Sequence, residues 1–269
     1  MQKPQTEGMP EDLVLVRHGH SEGNRALDAA KGGDTSLMTP EFRRRSTAEW
    51  RLTNKGRTQA AAAGDWLKNN GLEHFDRYYC STFARTRETA ALLGLAEARW
   101  QLEPLVRERD WGLWEGRSRD LTTEMFPISS EQKRRNAFLW RPECGESIPD
   151  LDLRAREMFA TFARELAGGR VICITHEDVM WAMRFRLEKM KVKEWIDHDD
   201  KIPNCGILHY TRRAADGTVG PKFERVRLVD PTDPETFEAW QPIQRPRFSN
   251  EELIADVRKI EPLWTDSAS

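Results

Sequence analysis

The chain has 269 residues, of which 42 are Lys or Arg and 44 are Asp or Glu, for a formal net charge of −2. That length accommodates one large α/β domain or a domain with an extension, and the near-balance of charge removes any global attraction to nucleic acid or to an anionic membrane. No apolar run approaches a membrane span and residues 1–12 lack a signal-peptide core, so a cytoplasmic protein is expected.

In chain order, Leu13-Val14-Leu15-Val16 is a short apolar run without alternation, the pattern of a strand buried on both faces. Residues 25–51 are charged and interrupted by Gly32-Gly33 and Pro40, and they read as a long irregular connection. Thr53 is placed to cap a helix over 54–70, with Ala60, Ala63, Trp66 and Leu67 as its inner stripe and Gly71 as its stop. A strand at 77–80, a helix at 84–93 and a short strand at 100–102 follow. Residues 107–148 are rich in Arg, Trp and Phe without a strand pattern, and read as a small, partly helical cap insertion. A helix over 149–167 turns Met158, Phe159, Phe162 and Leu166 to one face. Strand 171–175 and a helix over 178–189 come next. Strands at 207–211 and 223–229 form a hairpin around Asp216-Gly217.

Strands alternating with helices imply an α/β protein, a three-layer α/β/α sandwich built on a mostly parallel sheet. The main domain covers 1–230, and residues 231–269 form a C-terminal extension. There a proline-rich extended run precedes a short helix, opened by Ser249 with Glu252 in a capping-box pattern. Leu253, Val257 and Ile260 of that helix need burial, so the extension is expected to pack on its own domain, or else on a second copy in a homodimer.

Two strands end on histidine, in Arg17-His18-Gly19 and in Thr175-His176. Ligands of open α/β sheets sit beyond the carboxyl ends of strands, so this pairing describes an anion pocket with an imidazole free to act as a nucleophile. Arg17 suits an oxygen clamp, Gly19 leaves room for a close phosphate, and Trp111 and Trp114 are candidate walls. Cys80, Cys144, Cys173 and Cys205 show no CxxC spacing. His198, within Asp197-His198-Asp199-Asp200, fits an acidic surface turn better than a metal cluster. No metal and no cofactor is expected.

More pieces recur in a fixed order: His20-Ser21-Glu22-Gly23-Asn24 after the first histidine, Leu52-Thr53-Asn54-Lys55-Gly56, Ser81 to Arg85-Thr86 and Thr89, Arg107-Glu108-Arg109-Asp110-Trp111-Gly112, Gly145-Glu146-Ser147, and Asn204-Cys205. Over residues 12–211 the chain resembles the histidine phosphatase superfamily, whose other branch is the cofactor-dependent phosphoglycerate mutases. The resemblance implies a phosphoglycerate mutase-like fold and a phosphohistidine on His18. It supports Arg85 as a second phosphate clamp and implies that His176 donates to the phosphoryl oxygens, with Asn24 a neutral donor beside them. Glu108 matches the position of the general acid, with Asp110 as competitor. Members usually carry Gly after the second histidine, where Glu177 stands here; its carboxylate either raises the His176 pKa or contacts substrate. His20 is expected at the pocket rim.

The mutase branch carries a Gly-Trp element soon after its first histidine motif, and residues 25–52 lack it. The cap segments look like a phosphatase branch. The expected activity is metal-independent hydrolysis of a small phosphomonoester, with a phosphoglycerate mutase-type transfer as the alternative. A catalytically dead phosphate sensor would be expected to lose His18 or Glu108. Arg134, Arg135 and Arg141 either bind a second anionic group of the substrate or form a solvated basic face.

Overall fold

Leu13, Val14, Leu15 and Val16 carry no polar side chain because both faces of their strand are covered. In the computed structural model, which describes residues 8–197, 201–233 and 239–260, β1 (Asp12–Arg17) lies between β4 (Arg170–Thr175) and β5 (Ile207–Thr211). The sheet has seven strands in the order β3-β2-β4-β1-β5-β6-β7, with β2 at Arg77–Cys80, β3 at Trp100–Leu102, β6 at Arg225–Val229 and β7 at Gln241–Pro242. β1 to β4 run parallel, and β5, β6 and β7 continue the sheet by antiparallel pairing.

Helices α3 (Asn54–Asn69) and α4 (Ala84–Leu92) cover one face, and α7 (Ile148–Glu165) and α8 (Glu177–Glu188) the other. Because strand side chains alternate, Val14, Val16, Ile172 and Ile174 pack with Ala60, Ala63, Leu67 and Ala90. Leu13, Leu15, Val171 and Cys173 pack with Met158, Phe162, Val179 and Met183. Each fully buried aliphatic side chain contributes roughly 1.5–3 kcal/mol before entropy is counted. The two clusters make the three layers of a phosphoglycerate mutase-like fold. Over the parallel strands' carboxyl ends sit α1 (Glu22–Lys31), α2 (Pro40–Arg44) and the strand-free segment 107–147, which holds α5 (Arg119–Met125) and α6 (Pro127–Arg135).

Two expectations change. Residues 25–51 are irregular only in part: Ser21 and Asn24 form a capping box that starts α1, Gly32 ends it, and Pro40 opens α2 behind the Thr39 cap. The glycine and proline mark helix ends instead of excluding helices. In the extension, the extended run carries the packing. Gln241 and Pro242 pair with Val226 and Arg225, and Ile243 rests on the core. Among the described residues the helix α10 (Asn250–Val257) has no buried side chain: Leu253, Val257 and, just beyond it, Ile260 are 51%, 62% and 70% exposed. Its capping box satisfies the first amides locally. α9 (Val192–Asp197) precedes His198, which lies outside the described residues. No helix among the described residues is long and apolar enough to cross a membrane.

Candidate active site

Parallel register brings the two histidines together. Arg17 pairs with Thr175 across β1 and β4, so His18 and His176, each one residue further on, emerge side by side. Both are buried, with ring centroids 5.2 Å apart. Ser81, the first residue beyond β2, places its Oγ 2.8 Å from His176 Nε2. Arg85 enters from the first turn of α4. Its Nε donates to His18 Nε2 at 3.1 Å, its Nη1 to the Thr47 carbonyl at 2.7 Å, and its Nη2 to Glu108 Oε2 at 3.3 Å. Glu108 follows the turn Pro104–Val106 after β3; its Oε1 accepts the Arg109 amide at 3.0 Å and its Oε2 lies 3.3 Å from His176 Nδ1.

Arg17 Nη1 donates to the Ile202 carbonyl, and its Nη2 lies 2.9 Å from Glu177 Oε2. Arg17 Nε and His176 Nδ1 are buried with no hydrogen bond of good geometry among the described residues. Asn204 Nδ2 donates to the His18 carbonyl at 3.1 Å, and Asn24 Oδ1 accepts from Asn204 and from Ser21. Gly19 serves a different purpose from the one its sequence position suggests. A Cβ there would come within 2.5 Å of the Gly56 carbonyl oxygen, so the missing side chain lets the loop abut α3 and does not face a phosphate.

The His18 tautomer follows from its neighbours. Nδ1 lies 2.8 Å from the Gly19 carbonyl, which can only accept, so Nδ1 carries the proton and Nε2 keeps its lone pair. Burial, reinforced by Arg85, His176 and Arg17, holds the His18 pKa well below the ordinary histidine value. Burial likewise lowers His176 to about 4, with Glu108 opposing. Both rings are therefore neutral at pH 7. Burial also works against charge on Glu108, but His176, Arg85 and His18 together outweigh it and keep the carboxyl ionised. Since His176 is neutral above about pH 4, Arg85 is the standing charge that holds Glu108 down at neutral pH. Ligand atoms of His18, Glu108 and His176 lie within 4.8 Å of one another, close enough to hold a metal ion. Two guanidiniums at the same place repel a dication and attract an anion, so the group these residues fit is a phosphoryl dianion.

The loop carrying Glu108 is braced from behind. Glu146 takes bidentate contacts from Arg107 at 2.8 and 3.0 Å and from Arg154 at 3.0 and 2.9 Å, while Arg154 Nη1 also ties the Leu105 and Arg107 carbonyls. Burial opposes the Glu146 charge, but these arginines and the Asp110 amide hold its pKa at about 2. The Gly145-Glu146-Ser147 segment announced this residue, and Ser81 stood in the segment running to Arg85-Thr86 without a role of its own; nothing in the sequence announced Arg154 or Thr47. Asp110, the competitor for the acid, is exposed and caps the Gly112 amide at 2.8 Å, away from the histidines.

Above His18 opens a pocket of about 460 Å³ with Trp111 and Trp114 in its wall and Asn24 among its lining; His176 lies fully buried behind it. Arg134 and Arg135 do not reach it; both pair with Glu131 on the outer face of α6, and Arg141 pairs with Asp150. Lys133 and Arg119 line it instead. His20 is not at the rim: its Nδ1 lies 2.9 Å from Thr53 Oγ1 and its Nε2 3.5 Å from Asp28. Glu177 spends its carboxylate on Arg17 and on the Ile202 amide, and burial, not Glu177, dominates the shift of His176. A carboxylate already on the clamp must weaken anion binding there. Glu177→Gln keeps a hydrogen-bonding side chain and removes the charge, and should tighten inorganic phosphate about 3- to 10-fold, as read by calorimetric titration; an unchanged affinity would show that the pair leaves the clamp's field intact.

Residues 13–219 match the sequence profile of the histidine phosphatase superfamily, branch 1. A 2,3-bisphosphoglycerate-dependent phosphoglycerate mutase of Azorhizobium caulinodans is 30% identical over 216 residues, covering 78% of this chain and 96% of that protein. Among solved structures, the mycobacterial glucosyl-3-phosphoglycerate phosphatase has a TM-score of 0.60 at 23% identity, over 75% of this chain and 92% of the other. A phosphoserine phosphatase of Entamoeba histolytica has a TM-score of 0.58 at 18% identity, over 75% and 91% of the two chains. At such identities the structural likeness concerns the fold.

Proposed function

We propose that this chain, which belongs to the histidine phosphatase superfamily, is a metal-independent phosphomonoesterase working through a phosphohistidine on His18. The observation that carries the reading is the state of His18: a neutral imidazole, its Nδ1–H bound to the Gly19 carbonyl and its Nε2 facing Arg85 in a pocket that Arg17 also lines. Nε2 attacks phosphorus as the ester P–O bond breaks, and Arg17, Arg85 and Asn24 hold the non-bridging oxygens. His176 Nδ1–H donates to the same oxygens as charge shifts. Glu108 protonates the departing alkoxide and then takes a proton from the water that releases phosphate.

Glu108 is ionised in the free site, so binding must supply its proton. An arriving dianion draws Arg85 off the carboxylate and adds its own negative charge, and both effects raise the Glu108 pKa. A pocket of about 460 Å³ gives water access to the phosphohistidine beside a small ester, as hydrolysis requires; a water needs only about 30 Å³. Hydrolysis of an aryl phosphate is expected to survive EDTA and to be blocked by vanadate, which imitates the five-coordinate phosphoryl group. Loss of activity on chelation, restored by a divalent ion, would reject metal independence.

The name carried by the Azorhizobium caulinodans relative favours a second reading, transfer between positions of phosphoglycerate. A coupled assay with 3-phosphoglycerate and its bisphosphate primer separates the two. Mutase turnover above hydrolysis would replace the first reading with the second.

A further inference from the structure

Three hydrogen bonds hold the Arg85 guanidinium among the described residues, and the reaction takes away two of their acceptors. Nε donates at 3.1 Å to the lone pair of His18 Nε2, which must attack phosphorus. Nη2 donates at 3.3 Å to Glu108, which must turn to the leaving oxygen. The third acceptor, the Thr47 carbonyl 2.7 Å from Nη1, has no part in the chemistry. Thr47 is buried and opens the turn Thr47–Glu49 between α2 and α3. Its hydroxyl donates to Glu115 Oε1, 68 positions further along the chain and directly after the turn Gly112–Trp114. Trp50, just beyond the Thr47 turn, stacks on Phe42 of α2 with ring centres 4.7 Å apart. It also lies so close to α1 that a Cβ on Gly23 would come within 2.3 Å of its ring. The Thr47 turn is therefore held by the cap segment on one side and by α1 and α2 on the other.

We propose that Thr47 and Glu115 are positioning residues for the phosphoryl clamp: their hydrogen bond fixes the carbonyl that keeps the Arg85 guanidinium aimed at the phosphoryl oxygens once His18 and Glu108 have let it go. The inference rests on the reading of His18 as the attacking group. As Nε2 closes on phosphorus, the Nε–H and Nη2–H of Arg85 pass to the non-bridging oxygens, while Nη1–H stays on Thr47. The guanidinium is a rigid planar fork, so anchoring one N–H restricts where the others point. Loosening that anchor returns rotamer freedom to a long side chain at the moment its other contacts change, and the cost falls on the transition state more than on the resting site. Thr47 and Glu115 act on the reaction only through Arg85.

Thr47→Val removes the hydroxyl at nearly constant shape, and Glu115→Ala removes its acceptor. Each is expected to lower kcat/KM for p-nitrophenyl phosphate about 10- to 50-fold, and vanadate affinity by a similar factor, because both report the five-coordinate phosphoryl group. Inorganic phosphate, which binds without attack by His18, should lose less than about 3-fold in affinity, as read by calorimetric titration of the whole protein. Thr47→Ser and Glu115→Gln keep the hydrogen bond and should retain wild-type behaviour in all three measurements. In an Arg85→Ala background, Thr47→Val and Glu115→Ala should change kcat/KM less than about 2-fold, since the link they cut no longer has a guanidinium to hold. Wild-type kcat/KM in Thr47→Val and Glu115→Ala, whatever their melting temperatures, would overturn the proposal. Equal losses of vanadate and phosphate affinity, or a loss undiminished in Arg85→Ala, would overturn it as well. If the affinities change as expected but no phosphomonoester is hydrolysed by the wild type, the positioning pair stands and the phosphatase reading falls.

Discussion

His18→Ala is expected to lower kcat by about 10⁴-fold or more and to abolish covalent labelling by a phosphate donor. Of the two imidazoles, His18 lines the pocket with Arg17 and Arg85, whereas His176 engages Ser81 through Nε2 and faces Glu108 through Nδ1. His176→Ala should slow turnover yet leave part of the labelling, since it removes an oxygen donor and not the nucleophile. A phosphoenzyme mapped by mass spectrometry to His176 would overturn the assignment. The pH behaviour follows with a definite sign. Protonation of His18 removes the lone pair, so activity is lost as pH falls through its folded pKa, which burial and Arg85 keep well below 6.5. The His18-dependent acid limb of kcat/KM should therefore lie below pH 6.5. Folding is linked in the same direction. Unfolded histidines take up protons from about pH 6.5 downward, whereas His176 resists to about 4, so stability should fall as pH drops across that window. Melting temperatures that stay flat between pH 7 and 4 would contradict the buried, neutral pair.

Glu108→Gln is expected to cost about 10²- to 10⁴-fold in kcat with an alkyl phosphate, whose leaving alkoxide needs a proton. With p-nitrophenyl phosphate the first step should be almost spared, because nitrophenolate departs without one. The second step still lacks its base, so the variant should release one equivalent of nitrophenol in a burst and then stall as phosphoenzyme. The geometry behind this is specific: Glu108 touches Arg85 and His176, whereas Asp110 spends its carboxylate on the Gly112 amide. Equal slowing of the first step on both substrates, with no burst of nitrophenol, or a larger loss in Asp110→Asn, would remove Glu108 from the proton path.

Residues that act through local rules were legible in the sequence. The apolar runs ending at Arg17 and Thr175 needed only the period of a strand, and Thr53 and Ser249 needed only the geometry of a helix cap. The family pattern then carried His18, Arg17, Arg85, Glu108 and His176 to one place, and the structure does gather them there. The same local rules misjudged residues 25–51, where Gly32 and Pro40 bound two helices; the helix α10 forms behind its Ser249 cap, with its apolar face exposed in the single chain.

By itself the sequence determined which strands are buried, where the helices flanking the sheet start, and that two imidazoles leave strand ends beside guanidiniums, because backbone periodicity and short motifs act within a few residues. Only the tertiary structure decided what each charged side chain meets. Glu177 lands on Arg17, Arg154 reaches back across 49 positions to the Leu105 carbonyl, and Lys133 turns into the pocket while Arg134 and Arg135 turn away. Partner choice among Arg, Lys and Glu depends on distances of a few ångströms between segments remote in the chain. Long flexible side chains carry no local signal of which partner burial will leave within reach.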